Sequence, residues 1–279
     1  MSQAKLAQPT ITVAVVTLNE EQHMAEWLRA TEWADERVVI DGGSHDATIS
    51  IARESNARVL VRPFDNFANQ RNVAIQAASC DWILFIDADE RATPALVREL
   101  RDRVTFAREV AFRVPIRSRI FGKPFRFSGT QDDRPLRLLR RGAGRWHGAV
   151  HEVYQCRGPR GTLHGWLDHH TMPDRAAFYA KVERYTSLEA ASRVAANRAP
   201  RWHERWVAPP REVFRRLLWK QGWLDGPAGW TFSVLSGWSE WVLACKHREL
   251  WQQRSRGEGA TVEQLSDAPK LANMQWVGS

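Results

Sequence analysis

Cysteine is scarce in this chain, and its three cysteines, Cys80, Cys156 and Cys245, lie far apart. No two of them have the Cys-x-x-Cys spacing, and an odd number argues against a disulfide framework. Because thiols stay reduced in the cytosol, we expect a reducing compartment. Residues 1–9 are polar and lack the apolar segment of a secretory signal, so we also expect no signal peptide.

Long apolar segments are missing as well. The stretch nearest to a membrane span, residues 226–245, is only moderately apolar and contains Glu240 with several Ser and Gly residues. A spanning helix needs about 20 predominantly apolar residues, so we favour peripheral attachment over a span. Internal repeats and low-complexity blocks are also absent, which argues against a repeat architecture.

Tryptophan and positive charge are abundant by contrast. The 279 residues include 14 Trp, most of them after residue 200, and the net charge is +8. A basic protein attracts anions, so nucleotides, nucleic acid and acidic lipid head groups are all candidate partners. The content of 43% hydrophobic and 26% charged residues is ordinary for a globular protein and excludes wholesale disorder.

The most informative stretch is the apolar run 82–86, which leads directly into Asp87, Asp89 and Glu90. Such a run predicts a buried strand whose carboxylates emerge at its C-terminal end, where open α/β sheets bind ligands. In an extended chain Asp87 and Asp89 point the same way, and they repel each other unless a cation lies between them. Mg²⁺ or Mn²⁺ with a diphosphate fits this pattern. The alternative is an acidic turn before the helix that Thr93 and Pro94 begin.

Strand and helix patterns alternate four times in the first hundred residues, which predicts a parallel sheet with helices on both faces. The predicted strands are 10–18, 37–40, 58–61 and the stretch that begins at Trp82. The first predicted helix ends at about Trp33, and the second begins after Asp46, its candidate N-cap. The third and fourth predicted helices cover residues 66–78 and 94–106. Polar residues follow three of these strands, at Asn19-Glu20, Asp41 and Asp87/Asp89. Because the carboxyl ends of parallel strands share one edge, we expect these side chains to meet.

The second half predicts a smaller mixed extension of the sheet, followed by helices. Its predicted strands are 110–120, 134–141, 150–154 and 166–170, and its predicted helices are 175–197, 211–221 and 229–250. Residues after about 255 are polar with little periodicity, so we expect a disordered tail.

Together these motifs resemble family 2 glycosyltransferases of the GT-A fold, and more closely the lipopolysaccharide inner-core β-glucosyltransferase group. The family motifs are Thr17-Leu18-Asn19-Glu20-Glu21, Asp41-Gly42-Gly43-Ser44, Gln70-Arg71-Asn72 and the DXD pattern Asp87-Ala88-Asp89. The group motifs are Trp33 to Glu36, Asp133-Arg134 with Arg137-Leu138, Val150-His151-Glu152, and Gly222 to Gly226 with Trp223 where the group has Phe. The resemblance covers roughly residues 10–250.

The resemblance implies an α/β fold of GT-A (Rossmann-like) type, with a mixed, mainly parallel sheet and a C-terminal Trp/Arg-rich helical extension. It divides the chain into a flexible N-terminus (1–9), a catalytic domain (10–200), an amphipathic membrane-associating extension (201–254) and a disordered tail (255–279). Within the catalytic domain, residues 10–107 would bind the nucleotide sugar and residues 108–200 the acceptor.

The resemblance also implies roles on the donor side. Asp41 would accept the uracil N–H of a UDP-sugar, Thr17 and Glu20 would flank the nucleoside, and Arg71 would meet the diphosphate or the base. Asp87 would contact the ribose and the metal, and Asp89 the Mg²⁺ or Mn²⁺ that bridges the phosphates. Two alternatives remain open from the residues themselves, an Asx turn at Asp41 and a solvated helix-face charge at Arg71.

On the acceptor side, direct displacement with inversion needs a base for the acceptor hydroxyl. Asp133 is the first choice, because its Asp-Arg…Arg-Leu setting resembles the base position in related enzymes, and Glu152 is the second. The alternatives are that Asp133 only pairs with a neighbouring Arg and that Glu152 holds a loop. Arg134, Arg137 and His151 would face the acceptor. The His-rich zone lacks a Cys at ligand spacing, so acceptor contacts are favoured there over a zinc site; its members are His147, His151, His164, His169 and His170.

Eight Trp residues lie between 202 and 251, and basic residues between 198 and 220 are interleaved with the first of them. This pattern suits the head-group layer of an anionic membrane. The alternative is that some of these Trp cover the catalytic core. We therefore predict an inverting, metal-dependent transferase that moves a hexose, with glucose favoured, from a UDP-sugar to a lipid-linked saccharide such as the lipopolysaccharide core. It would lie on the inner face of the cytoplasmic membrane.

Two other functions remain open from the sequence. A polyprenyl phosphate can be the acceptor instead, although such enzymes often add obvious spanning helices. A basic nucleic-acid-binding protein is the alternative of another class. We expect no nucleic-acid partner, because an acid-rimmed sheet edge repels phosphates in the absence of metal.

Overall fold

The structure is a computed structural model that describes residues 8–130, 133–148, 152–172 and 174–256. Contacts divide the chain into two compact units, one formed by residues 1–116 and 133–169 and the other by residues 117–132 and 170–279. The domain boundaries predicted at residues 200 and 254 stay predictions. The expected disorder of residues 1–7 and of the tail from residue 257 lies outside the described residues.

The first unit contains a sheet of seven strands with four helices. The strands that begin in this unit are β1 (Ile11–Thr17), β2 (Glu36–Asp41), β3 (Arg58–Val61), β4 (Trp82–Phe85), β5 (Glu90–Ala92), β6 (Ala111–Arg113), β7 (Ile116–Ile120), β9 (Leu136–Arg140), β10 (Gly144–His147), β11 (Val153–Cys156), β12 (Arg160–Thr162) and β13 (Leu167–Met172). The helices are α1 (Glu21–Ala30), α2 (Thr48–Glu54), α3 (Phe67–Ala77) and α4 (Pro94–Phe106). β8 (Lys123–Pro124) belongs to the second unit.

The strand order in the large sheet is β12-β6-β9-β4-β1-β2-β3. β1 pairs in parallel with both β2 and β4, and β2 with β3, whereas β9 pairs antiparallel with β4 and β6. The chain therefore leaves β1 in one direction and returns to its other side at β4. This reversal is a topological switch point, where α/β sheets bind ligands beyond the carboxyl ends of the strands.

Alternation along β1 builds one core on each face of this sheet. Ile11, Val13 and Val15 pack with the α1 and α4 side chains, whereas Ala14 packs with β2 and α3 side chains on the other face. Helices thus cover both faces, which is why these strands are apolar at nearly every position. The predicted fold class, a mixed and mainly parallel α/β sheet, is confirmed.

Several predicted element boundaries were wrong for identifiable reasons. The stretch 110–120 forms two strands, β6 and β7, because Pro115 lacks the N–H that a continuous ladder needs. Helix α1 ends at Ala30 rather than near Trp33. Asp46 does not occupy the N-cap of α2; its carboxylate instead accepts hydrogen bonds from the backbone N–H and the hydroxyl of Thr48.

The second unit is mainly helical. Its helices are α5 (Arg175–Ala195), α6 (Trp202–Trp206), α7 (Ala208–Phe214) and α8 (Gly226–Ser255), with a π-helical turn (Arg215–Trp219) and a 3₁₀ turn (Gly222–Asp225) before α8. The predicted helix 211–221 is therefore broken into α7 and the π turn. Helix α8 begins at Gly226 rather than Gly229, since Pro227 at its first turn is preorganised for a helix start.

A separate apolar cluster anchors α5 and α8 in this unit. Phe178, Val182 and Phe232 pack with Ile120 and Phe125 in its centre. The Asp225 carboxylate accepts hydrogen bonds from the backbone of Arg126 and Phe127 and from the hydroxyl of Ser128. Within the described residues, every helix is too short or too polar to cross a bilayer.

Candidate functional site

The carboxyl ends of β1 and β2 are joined by a buried carboxylate. Asp41 is fully buried, and its two oxygens accept hydrogen bonds from the backbone N–H groups of Gly43 and Ser44 and from the hydroxyls of Ser44 and Thr17. Gly43 has φ +100°, a conformation that glycine adopts without strain. The structure therefore shows an Asx-type turn at Asp41, the alternative that the sequence left open.

Side chains also tie the loop after β1 to the loop after β2. Asn19 donates its backbone N–H to the Ser44 hydroxyl and accepts a hydrogen bond from the backbone of His45. Glu20 donates its N–H to the hydroxyl of Thr48. Thr17 and Asp41 are thus bonded directly, and Glu20 lies on the same loop and is held through its backbone. The uracil contact assigned to Asp41 stays a prediction. It requires the N–H of the base to replace one of the four protein donors that already bind the Asp41 carboxylate.

The acidic segment after β4 is a turn rather than an extended strand. β4 ends at Phe85, and the backbone N–H of Glu90 donates to the carbonyl of Asp87 at 2.9 Å. The extended geometry that placed Asp87 and Asp89 side by side was therefore wrong. In this turn Asp87 and Glu90 share one cationic partner, and Asp89 has another.

Arg137 of β9 is the partner of two of these carboxylates. Its guanidinium pairs with both oxygens of Asp87, at 3.1 and 2.8 Å, and with Glu90 at 2.8 Å. The second oxygen of Glu90 accepts the backbone N–H of Asp87 at 2.9 Å. Arg137 and Glu90 are buried, with 7% and 1% of their surface exposed, whereas the Asp87 side chain is 43% exposed and can be reached by a ligand. The Arg137 side chain was predicted to face the acceptor; in the structure its guanidinium binds the carboxylates of the acidic turn.

Asp87 and Glu90 share the Arg137 guanidinium, but their pKa values shift in opposite directions. Burial disfavours the charged form of Asp87, but the charge of Arg137 outweighs it and holds the pKa of Asp87 well below its usual range. Burial raises the pKa of Glu90 to about 7, against the opposing attraction of Arg137. Asp87 is therefore the carboxylate that stays ionised.

Asp89 has a histidine as its partner. β13 pairs antiparallel with β5 and places His169 opposite Glu90, and the Nε2 atom of His169 lies 2.9 Å from a carboxylate oxygen of Asp89. The side chains of Asp89 and His169 are 24% and 19% exposed, so solvent or a ligand can reach both. In the sequence His169 is only one member of a His-rich zone, since no local motif links it to a residue 80 positions away.

Two other members of the His-rich zone contribute nothing to this pair that the structure describes. His164 is almost fully exposed and hydrogen-bonds to Glu99, and His151 lies outside the described residues. Across the part of the chain that the structure describes, no group of three or more His, Cys, Asp or Glu side chains is arranged to hold a metal ion. Asp89 and His169 offer two donors, which suits an ion that takes its remaining ligands from water and phosphate.

Arg71 is buried and paired rather than solvated. Its guanidinium pairs with Glu152 at 2.7 Å and lies 4.6 Å from the ring centroid of Trp146. The neighbouring Asn72 amide donates to the carbonyl of Trp146 and accepts its backbone N–H, both at 2.9 Å. The Gln-Arg-Asn motif of α3 therefore holds strand β10, and the Glu152 carboxylate is engaged by Arg71.

Asp133 is the less engaged of the two predicted bases. It is half-buried, and its carboxylate accepts no hydrogen bond from the described residues, while its backbone carbonyl accepts the N–H of Ile116. Burial raises the pKa of Asp133, partly offset by the charges of Arg137 and His169. The adjacent Arg134 side chain is exposed. A half-buried carboxylate of raised basicity is suited to taking a proton.

Sequence comparison identifies the relatives of this chain. The family model described as glycosyl transferase family 2 matches residues 12–151, half of the chain. Lipopolysaccharide core biosynthesis glycosyltransferase LpsC of Rhizobium meliloti (strain 1021) is 29% identical over 243 residues, which cover 81% of this chain and 90% of LpsC. An uncharacterized glycosyltransferase of Rickettsia typhi is 34% identical over 97 residues, and the match spans about a third of that protein (32%).

Structural comparison finds shorter overlaps. Glucosyl-3-phosphoglycerate synthase from Mycobacterium tuberculosis, solved with Mn²⁺, UDP-glucose and phosphoglyceric acid, matches with a TM-score of 0.35 and 26% identity. The match covers 40% of this chain and 45% of that one. The predicted resemblance to family 2 enzymes and to lipopolysaccharide core glycosyltransferases is confirmed by the sequence relatives, and the chain belongs to glycosyl transferase family 2.

Proposed function

We propose that this glycosyltransferase moves a hexose, with glucose favoured, from a UDP-sugar to a lipid-linked saccharide such as the lipopolysaccharide core, with inversion at the anomeric carbon. The similarity to LpsC along 90% of that protein supports the acceptor class. The observation that carries the proposal is the acidic turn beyond β4, where Asp87 is fixed by Arg137 and Asp89 lies against His169.

On the donor side, Arg137 preorganises Asp87. A bidentate guanidinium fixes both the charge and the orientation of a carboxylate. An ionised carboxylate is an acceptor only, so Asp87 suits the hydroxyls of a ribose. Thr17, Glu20 and the turn held by Asp41 would flank the nucleoside, and Arg71 would add positive charge close to it.

Asp89 and His169 are the residues that would hold a divalent cation. A carboxylate oxygen next to an imidazole nitrogen is a donor pair that Mn²⁺ accepts, whereas Mg²⁺ would rely chiefly on Asp89. Asp87 contributes less than the sequence predicted, because both of its oxygens are bound to Arg137. When bound, the cation offsets the charge that develops on the departing diphosphate.

Asp133 is the proposed base. As the acceptor oxygen bonds to the anomeric carbon and the bond to the diphosphate breaks, the hydroxyl proton passes to the Asp133 carboxylate. Glu152 is less suited to this role, because its carboxylate is already engaged in an ion pair with Arg71 at 2.7 Å.

The second unit supports an attachment to the inner face of the cytoplasmic membrane. Trp202 and Trp219 are 75% and 78% exposed, and Trp206, Phe214 and Trp223 are also exposed. Large aromatic side chains at a basic surface suit the head-group layer of an anionic bilayer. This surface would keep the enzyme close to a lipid-anchored acceptor.

A donor screen by thermal shift tests the proposed chemistry. UDP-glucose with Mn²⁺ should raise the melting temperature of the wild-type protein more than UDP-N-acetylglucosamine does. Asp89→Asn should remove the Mn²⁺-dependent part of that shift, whereas Asp102→Asn, at an exposed site on α4, should keep it. If the nucleotide sugar raises the melting temperature equally with and without metal, the metal assignment is contradicted.

A further inference from the structure

An apolar trough runs between α5 and α8 in the second unit. Two adjoining open cavities of about 330 and 790 Å³ form it, and both are lined by Tyr179, Val234 and Leu235. Arg175 and Trp230 lie at one end of this α5–α8 trough, and Glu183 and Trp238 at the other. The rings of Tyr179 and Trp238 meet edge to face with their centroids 5.4 Å apart.

Helix α8 exposes large apolar side chains at this trough, while its buried side combines small polar residues with apolar ones such as Phe232. Ser233, Ser236 and Gly237 are buried, whereas Val234 is 55% exposed and Trp230 is 53% exposed. A helix on the surface of a water-soluble protein normally exposes polar side chains on its outer face instead. The outward apolar stripe of α8 therefore indicates a surface that meets something other than water.

The charges at the two ends of the trough are unequal. At one end Glu183 pairs with Lys246 at 2.6 Å. At the other end the exposed Arg175 forms no ion pair with the described residues. Between them the trough follows eight residues of α5, a distance of about 12 Å at the helical rise of about 1.5 Å per residue. Its shape and charge thus match an apolar chain of limited length with an anionic group at the Arg175 end.

We propose that the α5–α8 trough binds one alkyl chain of an anionic phospholipid of the membrane, with the lipid phosphate at Arg175. The inference rests on the membrane-surface part of the proposed function and adds a specific lipid site to it. The trough is a furrow between two helices whose side chains already touch, so it suits a single extended chain. A helix, with a diameter of about 10–12 Å, would only cover it from above.

A chain-length series on the full protein tests this site. Alkyl phosphates from hexyl to dodecyl, each below its critical micelle concentration, are titrated by calorimetry without nucleotide sugar or acceptor. Each added CH₂ should tighten binding about threefold to fourfold, the equivalent of about 0.8 kcal/mol, until the chain outgrows the trough. Alkyl phosphates should bind more tightly than alkyl maltosides of equal length, and Arg175→Gln should remove that difference.

Matched variants locate the binding. Val234→Glu, at an exposed position in the trough, should abolish binding of all chain lengths, whereas Leu218→Glu, at an apolar position that is also exposed and lies outside it, should leave binding unchanged. Equal affinity in both variants, or affinity independent of chain length, would overturn the proposal. A dimer in sedimentation that Val234→Glu dissociates would also overturn it, because a second copy would then cover the trough.

The outcome is separable from that of the proposed glycosyl transfer. Transfer to a delipidated, water-soluble acceptor should be the same in Val234→Glu as in the wild type. If neither protein transfers sugar while the alkyl phosphates still bind as described, the function proposal fails and the lipid site stands.

Discussion

Arg137 contacts Asp87 through both of its terminal nitrogens and shares one of them with Glu90. A lysine at this position would keep a positive charge but would lose the planar fork that binds two carboxylates at once. The conformation of the acidic turn is therefore stabilised by a residue of the protein itself.

Removing this guanidinium should destabilise the fold. In Arg137→Met, the buried Glu90 and the partly exposed Asp87 lose their counter-charge, and breaking a buried ion pair typically costs about 3–5 kcal/mol of unfolding free energy. Arg137→Lys should lose less stability and still lower the activity, because Asp87 would no longer be held in one orientation. Urea unfolding measures the first effect, with Arg140→Met on the exposed end of β9 as control. Equal stability of the two Met variants would contradict the assignment.

Asp133 and Glu152 differ in what holds them, and their variants should differ accordingly. Asp133→Asn should lower kcat by about 10²–10⁴-fold, the usual contribution of a general base, with little change in stability. Glu152→Gln should mainly lower stability, because it leaves the buried Arg71 guanidinium without its carboxylate. Steady-state kinetics and thermal unfolding of both variants separate these outcomes. A larger kcat loss in Glu152→Gln would exchange the two roles.

At the scale of elements, strand β10 is held to helix α3 by a side chain. The two hydrogen bonds between the Asn72 amide and the backbone of Trp146 imitate the pairing of a neighbouring strand. They position Trp146, whose ring lies against the Arg71 guanidinium. The orientation of Arg71 therefore depends on a residue that itself need not touch a substrate.

Asn72→Ala should weaken this connection. A backbone N–H and carbonyl that lose their partners in a partly buried place cost about 1–3 kcal/mol, so the unfolding free energy should fall by that order. Hydrogen exchange should speed up at Trp146 in particular. Gln76→Ala, on the exposed face of the same helix, is the control. Unchanged exchange at Trp146 would show that the hairpin of β10 and β11 stands without Asn72.

The elements differed in how well the sequence predicted them. The parallel strands β1 to β4 and helix α4 were found because each has a local signal, an apolar run or a Thr93-Pro94 start. The turn at Asp87 was predicted as an extended segment, because local pattern does not reveal where a ladder ends. The partners of the acidic turn were beyond reach, since Arg137 and His169 lie 50 and 80 positions away from Asp87 and Asp89 in the chain.

At the scale of the whole molecule, charge and exposed aromatic side chains coincide in one protein. The net charge is +8, and eight of the fully described Trp side chains are not needed to fill the core of the first unit, because they lie in the second. Attraction of a basic protein to an anionic surface is screened by salt, whereas burial of aromatic rings in the head-group layer is not. Binding to a membrane should therefore have two separable parts.

Sedimentation with vesicles measures both parts. Binding to vesicles that contain phosphatidylglycerol should weaken as the ionic strength rises from about 0.1 to 1 M, since the screening length falls from about 10 to 3 Å. The double variant Trp202→Ala with Trp219→Ala should bind less at every salt concentration, because it lacks two of the most exposed rings. Phe106→Ala, which removes an equally exposed ring from the first unit, is the control and should bind like the wild type. If the control loses as much binding as the double variant, the aromatic surface of the second unit is not the attachment site.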